Sequence, residues 1–202
     1  KMACGDRKAR FRSVILDPDL IGSAPRGVKA SSGYDAVAHA AESYVCTTAN
    51  PLSRVYAREA MRLLDASLEA FVLSDPDAKP GDVLLGAHFA GMAIEASMLG
   101  AAHACANPLT AEYGTTHGVA VGVMLPHVVD YNTREFPDLY EGLGEHDDLG
   151  LRLREIRSSL NLPERLRDLD VQRASIPGLA RAAAQQWTGT FNPRPIDESD
   201  CE

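Results

Sequence analysis

Positive charge is scarce in this sequence. Its 202 residues include 20 Lys and Arg against 28 Asp and Glu, so the formal net charge is −8. Nucleic acids and anionic membrane surfaces both attract proteins that carry a basic face. We therefore expect neither nucleic acid nor a membrane among the partners of this chain.

Cysteine motifs are missing as well. The four cysteines, Cys4, Cys46, Cys105 and Cys201, are scattered along the chain without a CxxC spacing. We interpret them as reduced thiols and not as a disulfide framework. The basic first residues are not followed by an apolar segment, so no signal peptide is predicted. Both observations predict a cytoplasmic protein.

Strand patterns are almost absent. The run from Ser13 to Leu16, closed by Asp17-Pro18, is the one segment with a strong β-type pattern. A lone strand leaves its backbone groups unsatisfied, so this one should pair with another chain or with a sheet encoded upstream. From Ser31 onward the patterns are almost wholly helical. We predict an all-α, helical-bundle domain over residues 26–202.

A long apolar run lies near the middle of the chain. Between Leu84 and Cys105 the only charged residue is Glu95. The run is long enough to cross a bilayer. However, it is rich in Ala and Gly, and its polar residues would be costly in lipid. We predict one buried helix over most of residues 82–105, stopped by Pro108.

Two histidines flank the end of that run. His103 ends the predicted helix, and a second apolar helix should begin near His117, capped by Thr115 or Thr116. Histidines at the ends of adjacent buried helices can point at one common spot. A pair of hydrogen-bonded core histidines is the alternative interpretation.

A third histidine shares a helix face with a carboxylate. Asp35 and His39 are four residues apart in a helix that Ser31 or Ser32 could cap. The pair suits a divalent ion, although a plain hydrogen bond on a helix surface would use the same spacing. Glu42 could orient His39 or simply face solvent. Asn50-Pro51 should end this helix and begin the next.

Taken together, these segments resemble a known family. The motifs GYDAVAHAAESY, AGMAIEASMLGAAHACANPL, TTHGVAVGVMLPHVV and FNPRP resemble the C-terminal half of the iron-containing (group III) alcohol dehydrogenases, over residues 13–195. In that family a D-x3-H pair and two histidines 14 apart hold one divalent ion. The resemblance therefore implies Asp35, His39, His103 and His117 as metal ligands, with no catalytic side chain beyond them.

The resemblance also implies an NAD(P)-dependent enzyme that acts on small alcohols or aldehydes, and we expect a homo-oligomer. Family members carry an α/β nucleotide-binding domain with a GGGS-type segment before this half. The sequence contains neither that segment nor G-x-G-x-x-G. Residues 1–25 are then expected to be the remnant of that domain, NAD(P) would bind through the missing part, and the chain alone should be inactive.

One position departs from the family pattern near the nicotinamide. Many members have a histidine four residues after the third ligand, where this sequence has Asn107. We expect Asn107 to lie near the cofactor. An amide can hydrogen-bond but cannot titrate, so this side chain cannot relay a proton.

The identity of the ion and the function class each leave an alternative. Imidazole and carboxylate ligands accept both Fe2+ and Zn2+, and the resemblance favours iron. A non-catalytic helical module for assembly or partner binding is the main alternative to a dehydrogenase. A metal-dependent hydrolase is less favoured, because Glu95, the best candidate general base, lies two turns from His103.

Overall fold

Helices account for the regular structure of the chain. The computed structural model describes residue 8 and residues 11–202, and within them there is no β-strand. Short 3-10 helices at 166–169, 173–175 and 187–191 accompany the α-helices. The α-helices are α1 (Asp19–Gly22), α2 (Arg26–Val45), α3 (Pro51–Leu73), α4 (Pro80–Ala96), α5 (Ala101–Tyr113), α6 (His117–Glu135), α7 (Leu149–Ser159) and α8 (Ile176–Ala184). The predicted all-α fold is confirmed.

The expected N-terminal strand does not form in this chain. Residues 13–17 carry no regular secondary structure. A strand needs a neighbour for its backbone hydrogen bonds, and the described residues offer none. Cys4 and most of the first ten residues lie outside the described part of the chain.

Helix α2 is the centre of the bundle. Small residues, among them Ala38, Ala40 and Ala41, are completely buried along it. Helices α3, α4 and α6 pack around α2, while α5 packs on α6 and is covered by α8 and by residues 187–191. Small side chains allow helix axes to approach closely, so α2 can be surrounded by three neighbours.

The start of α2 differs from the prediction. The helix begins at Arg26, so Ser31 lies inside it and caps nothing. The Ser31 hydroxyl donates a hydrogen bond to the carbonyl of Gly27 at 2.9 Å. Local capping patterns therefore placed this boundary six or seven residues too late, because the observed cap position is Pro25.

The start of α3 matches the prediction. The side chain of Asn50 accepts hydrogen bonds from the backbone N–H groups of Leu52 and Ser53, both at 3.1 Å. The Ser53 hydroxyl accepts in return from the Asn50 N–H. Pro51 is the first helical residue, where its missing N–H costs nothing.

The apolar run 82–105 is two helices and not one. Helix α4 ends at Ala96, α5 begins at Ala101, and the two are bent by 104°. The Ser97 hydroxyl donates to the Ala93 carbonyl at 2.7 Å, and the Asn50 amide donates to the Ala96 carbonyl at 2.7 Å. Side chains therefore satisfy carbonyl groups in the last turn of α4, so the break costs little free energy.

Two further expectations for this region are wrong. Helix α4 buries one face only, and Glu95 is exposed. Pro108 lies inside α5, which continues to Tyr113 and ends at Gly114 in the left-handed conformation (φ 65°). A left-handed glycine is a common helix terminator.

In the residues described, no single helix combines the length and the apolar composition that crossing a membrane requires. Helices α4 and α5, which are bent against each other, meet both requirements when their residues are taken together.

Candidate metal centre

Four side chains converge where α2, α5 and α6 meet. The Asp35 Oδ1 atom lies 3.6 Å from Nε2 of His39, 3.3 Å from Nε2 of His103 and 3.7 Å from Nε2 of His117. Potential ligand atoms of Asp35, His39 and His103 all lie within 4.8 Å of one another. The structure therefore brings together all four residues that the sequence pointed to.

Each helix contributes through its own local geometry. Asp35 and His39 are one turn apart on α2, so their side chains share a face. His103 is the third residue of α5, and the 104° bend directs that helix away from the line of α4. His117 is the first residue of α6. The expected helix start is confirmed, although the Thr116 side chain makes no capping hydrogen bond.

Close contact between α2 and α6 depends on Gly118. A Cβ atom at this position would overlap the carbonyl group of Ser31 and lie 3.3 Å from the Cβ of Asp35. Only glycine allows the backbones to approach this closely, and the approach places His117 beside Asp35.

The cluster has a buried side and an accessible side. The His103 side chain is 2% exposed, whereas those of Asp35, His39 and His117 are 16–20% exposed. The rings of His39 and His103 stack at 5.0 Å between centroids, and those of His103 and His117 lie 5.3 Å apart. A small molecule could therefore approach from the side opposite His103.

Asp35 and His103 each have a buried polar atom without a hydrogen-bond partner. These atoms are Oδ1 of Asp35 and Nε2 of His103. Their 3.3 Å separation does not meet hydrogen-bond geometry, and buried polar groups are almost always satisfied. One carboxylate and three imidazoles form a donor set suited to Fe2+ or Zn2+. The residues present thus fit a divalent ion.

Electrostatics favour the ionised form of Asp35. Burial raises its pKa, but His103 at 3.3 Å and the charges that His39 and His117 can carry outweigh burial and hold the pKa well below its ordinary value. Burial lowers the pKa of His103. The charge of Glu42 and contacts with both carboxylates more than compensate and raise it to about 9.

Glu42 contacts His103 and the backbone of Ala102. Its Oε2 lies 2.5 Å from Nδ1 of His103, and its Oε1 accepts the Ala102 N–H at 2.6 Å. Sequence spacing suggested His39 as the partner because the two share α2. The alternative, a carboxylate that faces solvent, is wrong, because Glu42 is buried and α5 brings His103 against it from 61 residues away.

A second set of hydrogen bonds, which the sequence did not reveal, holds the first turn of α5. The Asn192 Oδ1 accepts the Ala101 N–H at 3.3 Å, and the amides of Asn192 and Asn132 donate to each other. The Asn132 amide also donates to the Tyr140 hydroxyl at 3.0 Å. All three side chains are buried. They fix the helix end that carries His103.

Other residues singled out from the sequence lie elsewhere. Asn107 is one turn beyond His103 on α5, and its amide donates to Oε1 of Gln186 at 3.1 Å. Nε2 of His146 lies 2.7 Å from Oδ2 of Asp65. His88 and His127, on α4 and α6, are not members of the cluster.

Comparison with known proteins agrees with the fold. The family model described as "Fe-containing alcohol dehydrogenase family, C-terminal" matches residues 29–202. Lactaldehyde reductase of Escherichia coli K12 is 32% identical over 209 residues, which cover 96% of this chain and 54% of that protein. 1,3-Propanediol dehydrogenase of Citrobacter freundii is 34% identical, covering 92% and 52%.

Solved structures show the same relationship. A 1,3-propanediol oxidoreductase superimposes with a TM-score of 0.84 at 31% identity, over 92% of this chain and 52% of that one. Sulfoacetaldehyde reductase from Bifidobacterium kashiwanohense, solved in complex with NAD+, shares the fold with a TM-score of 0.82 at 23% identity, over 92% and 51%. The chain spans about half the length of the curated relatives it matches. It belongs to the Fe-containing alcohol dehydrogenase family and corresponds to the C-terminal part of the family's proteins.

Proposed function

We propose that this chain is the metal-binding part of an NAD(P)-dependent alcohol dehydrogenase acting on a small alcohol and the corresponding aldehyde or ketone. The observation that carries the proposal is the convergence of three imidazoles on one buried carboxylate oxygen. Family membership and the dehydrogenases and reductases among the relatives support the reaction class.

Asp35, His39, His103 and His117 would hold the ion, which we propose to be Fe2+, or alternatively Zn2+. A divalent ion held there supplies Lewis acidity that polarises an alcohol or carbonyl oxygen. The chain's residues set the conditions for it. Asp35 would contribute one negative charge, and Glu42 would accept a hydrogen bond from Nδ1–H of His103, so that the Nε2 lone pair is left to face the ion.

Substrate would approach along the accessible side of the cluster. Asp35, His39 and His117 each keep part of their side chain exposed, while His103 and Glu42 close the other side. A buried side of this kind excludes water from behind the ligands and keeps their rings in one orientation.

The nicotinamide cofactor would be bound mainly by residues outside these 202. Relatives are about twice as long, and one neighbour in structure was solved with NAD+. We propose that Asn107 contacts the nicotinamide, because it follows His103 by one turn on the same face of α5. Its amide can orient a ligand but cannot transfer a proton. A homo-oligomer stays a prediction, which sedimentation analysis would test.

Metal analysis of the purified chain tests the proposal. After anaerobic loading with Fe2+, or loading with Zn2+, we expect one ion per chain. His103→Ala and His117→Ala should abolish binding, because each removes an imidazole from the cluster. His88→Ala is the matched control on α4 and should retain the ion, as should His127→Ala and His146→Ala. Full occupancy in a folded His103→Ala, His117→Ala double variant would contradict the site and favour a non-catalytic module.

A further inference from the structure

Two thiols meet on the far side of α5 from the bundle centre. The Sγ atoms of Cys105 and Cys201 are 4.0 Å apart, although 96 residues separate them in sequence. Cys105 lies on α5, and Cys201 lies in the C-terminal turn. Sequence spacing gave no indication of this pair, because the fold alone brings it together.

The pair lines a small apolar cavity. Its volume is about 30 Å³, and its walls include Leu109, Met124 and Leu179. A space of about 10–15 Å³ already admits a water molecule. Because both cysteines are also partly exposed, a molecule as small as hydrogen peroxide can reach the sulfur atoms.

The C-terminal turn is held in place by its own contacts. Oδ1 of Asp197 accepts the N–H groups of Ser199 and Asp200 at 2.8 and 3.0 Å. Just before the turn, the Tyr131 hydroxyl donates to the Pro195 carbonyl at 2.7 Å. These contacts keep Cys201 facing Cys105 without help from a covalent bond.

The two thiols are chemically distinct. The Cys105 S–H is directed at the Cys201 sulfur. This hydrogen bond lowers the pKa of the Cys201 thiol, which makes Cys201 the better nucleophile of the two.

We propose that Cys105 and Cys201 form an oxidisable dithiol that reacts with hydroperoxides, a site separate from the metal cluster. The Cys201 thiolate attacks one peroxide oxygen, the O–O bond breaks, and a sulfenic acid forms with release of hydroxide. The Cys105 sulfur then attacks the sulfenic sulfur, its hydroxyl leaves, and an S–S bond forms. The two thiols lose two electrons and two protons, and hydrogen peroxide becomes two molecules of water.

The Cys105–Cys201 disulfide would join the C-terminal turn to α5 at a position two residues after His103. It closes a loop that includes α6, α7 and α8, so it restricts the unfolded chain over nearly half its length. The oxidised chain should therefore melt at a higher temperature than the reduced chain.

Thiol counting and peptide mapping test the proposal. The zinc-loaded chain, freshly reduced, is treated with equimolar hydrogen peroxide, and free thiols are counted after denaturation. We expect a fall from four thiols to two, a mass loss of two hydrogens, and a Cys105–Cys201 peptide pair in a non-reducing digest. Four remaining thiols, or a bond that involves Cys4 or Cys46, would overturn it.

Single variants separate the two roles. Cys105→Ser should accumulate a sulfenic acid on Cys201 that dimedone traps, whereas Cys201→Ser should leave Cys105 reduced. Cys46→Ala, a change at a buried thiol outside the pair, should still form the bond and still show the higher melting temperature on oxidation. Preferential dimedone labelling of Cys105 in the Cys201→Ser variant would contradict the assigned nucleophile. Circular dichroism confirms that each variant is folded.

Discussion

Glu42 and His103 form a buried pair, with Oε2 and Nδ1 2.5 Å apart across 61 residues of sequence. The second carboxylate oxygen of Glu42 accepts the backbone N–H of Ala102, so one side chain fixes both the ring and the helix that carries it. A carboxylate behind a ligating histidine sets its tautomer and its orientation. Glu42 is therefore a positioning residue for the proposed metal site.

Removing Glu42 should weaken metal binding. We expect Glu42→Ala to lower zinc affinity about 10–100-fold, as loss of such a partner does elsewhere. Glu42→Gln should have a smaller effect, because an amide oxygen can still accept from Nδ1–H while one of the two hydrogen bonds is lost. Chelator competition measures both variants.

The matched control for Glu42 is Glu112→Gln, an exposed change near the other end of α5. It should leave zinc affinity unchanged. A folded Glu42→Ala chain that binds zinc as tightly as the unmodified protein would remove the positioning role.

Much of the fold was readable from local sequence. Asn50-Pro51 marked the start of α3, and His117 marked the start of α6, because capping and proline effects act within one turn. The proposed ligand pair Asp35 and His39 was also visible, since their i, i+4 spacing places both side chains on one face of any helix.

The break between α4 and α5 was not readable in the same way. The backbone groups on either side of the break form hydrogen bonds with the side chains of Asn50, Glu42 and Asn192. These side chains lie about 50–90 residues away in sequence. Local propensity in an Ala-rich run favours one continuous helix. For the same reason the partner of Glu42 could not be named, because a side chain's distant contacts depend on tertiary packing.

Gly118 should control the placement of His117. Gly118→Ala inserts a methyl group against the Ser31 carbonyl, and backbone cannot yield as a flexible side chain can. We expect a loss of about 1–3 kcal/mol in the free energy of unfolding, typical of overpacking, together with weaker zinc binding. Chemical denaturation and chelator competition measure the two effects.

Gly91→Ala serves as the comparison for that change. Gly91 is exposed within α4, and a Cβ there meets nothing within 4 Å. This variant should gain about 0.5–1 kcal/mol, because alanine has less conformational freedom to lose in a helix. If Gly118→Ala were as harmless as Gly91→Ala, the close approach of α2 and α6 would not matter for the site.

The metal-free chain should lose stability at alkaline pH through His103. Its pKa rises from an ordinary 6.5 to about 9 in the folded chain, so the folded state binds this proton more tightly than the unfolded state. The contribution is complete below about pH 6.5 and disappears as the pH rises through about 9. Denaturation of the chelator-treated chain from pH 6 to 10 measures it.

His103→Gln isolates this contribution from the other groups that titrate in the same range. The difference in unfolding free energy between the two chains should shrink as the pH rises. Zinc loading at pH 8 should also release a proton, which two buffers with different ionisation enthalpies reveal by calorimetry. A pH-independent difference would show that His103 is neutral in the metal-free protein.

The last prediction is that these 202 residues alone neither bind NAD(P) well nor oxidise alcohols. Hydride transfer requires the nicotinamide to lie against the reacting carbon, and such positioning can account for about 7–11 kcal/mol of a barrier. The sequence contains neither a GGGS-type segment nor G-x-G-x-x-G, the glycine-rich motifs that hold a pyrophosphate at a helix N-terminus. Calorimetric titration of the metal-loaded chain with NAD+ and NADP+ should therefore show no more than weak binding. Primary alcohols should not be turned over beyond a metal-free control. The same residues within a protein of the relatives' length are the positive control. Micromolar cofactor affinity, or metal-dependent turnover, in the 202-residue chain would show that it contains a complete active site.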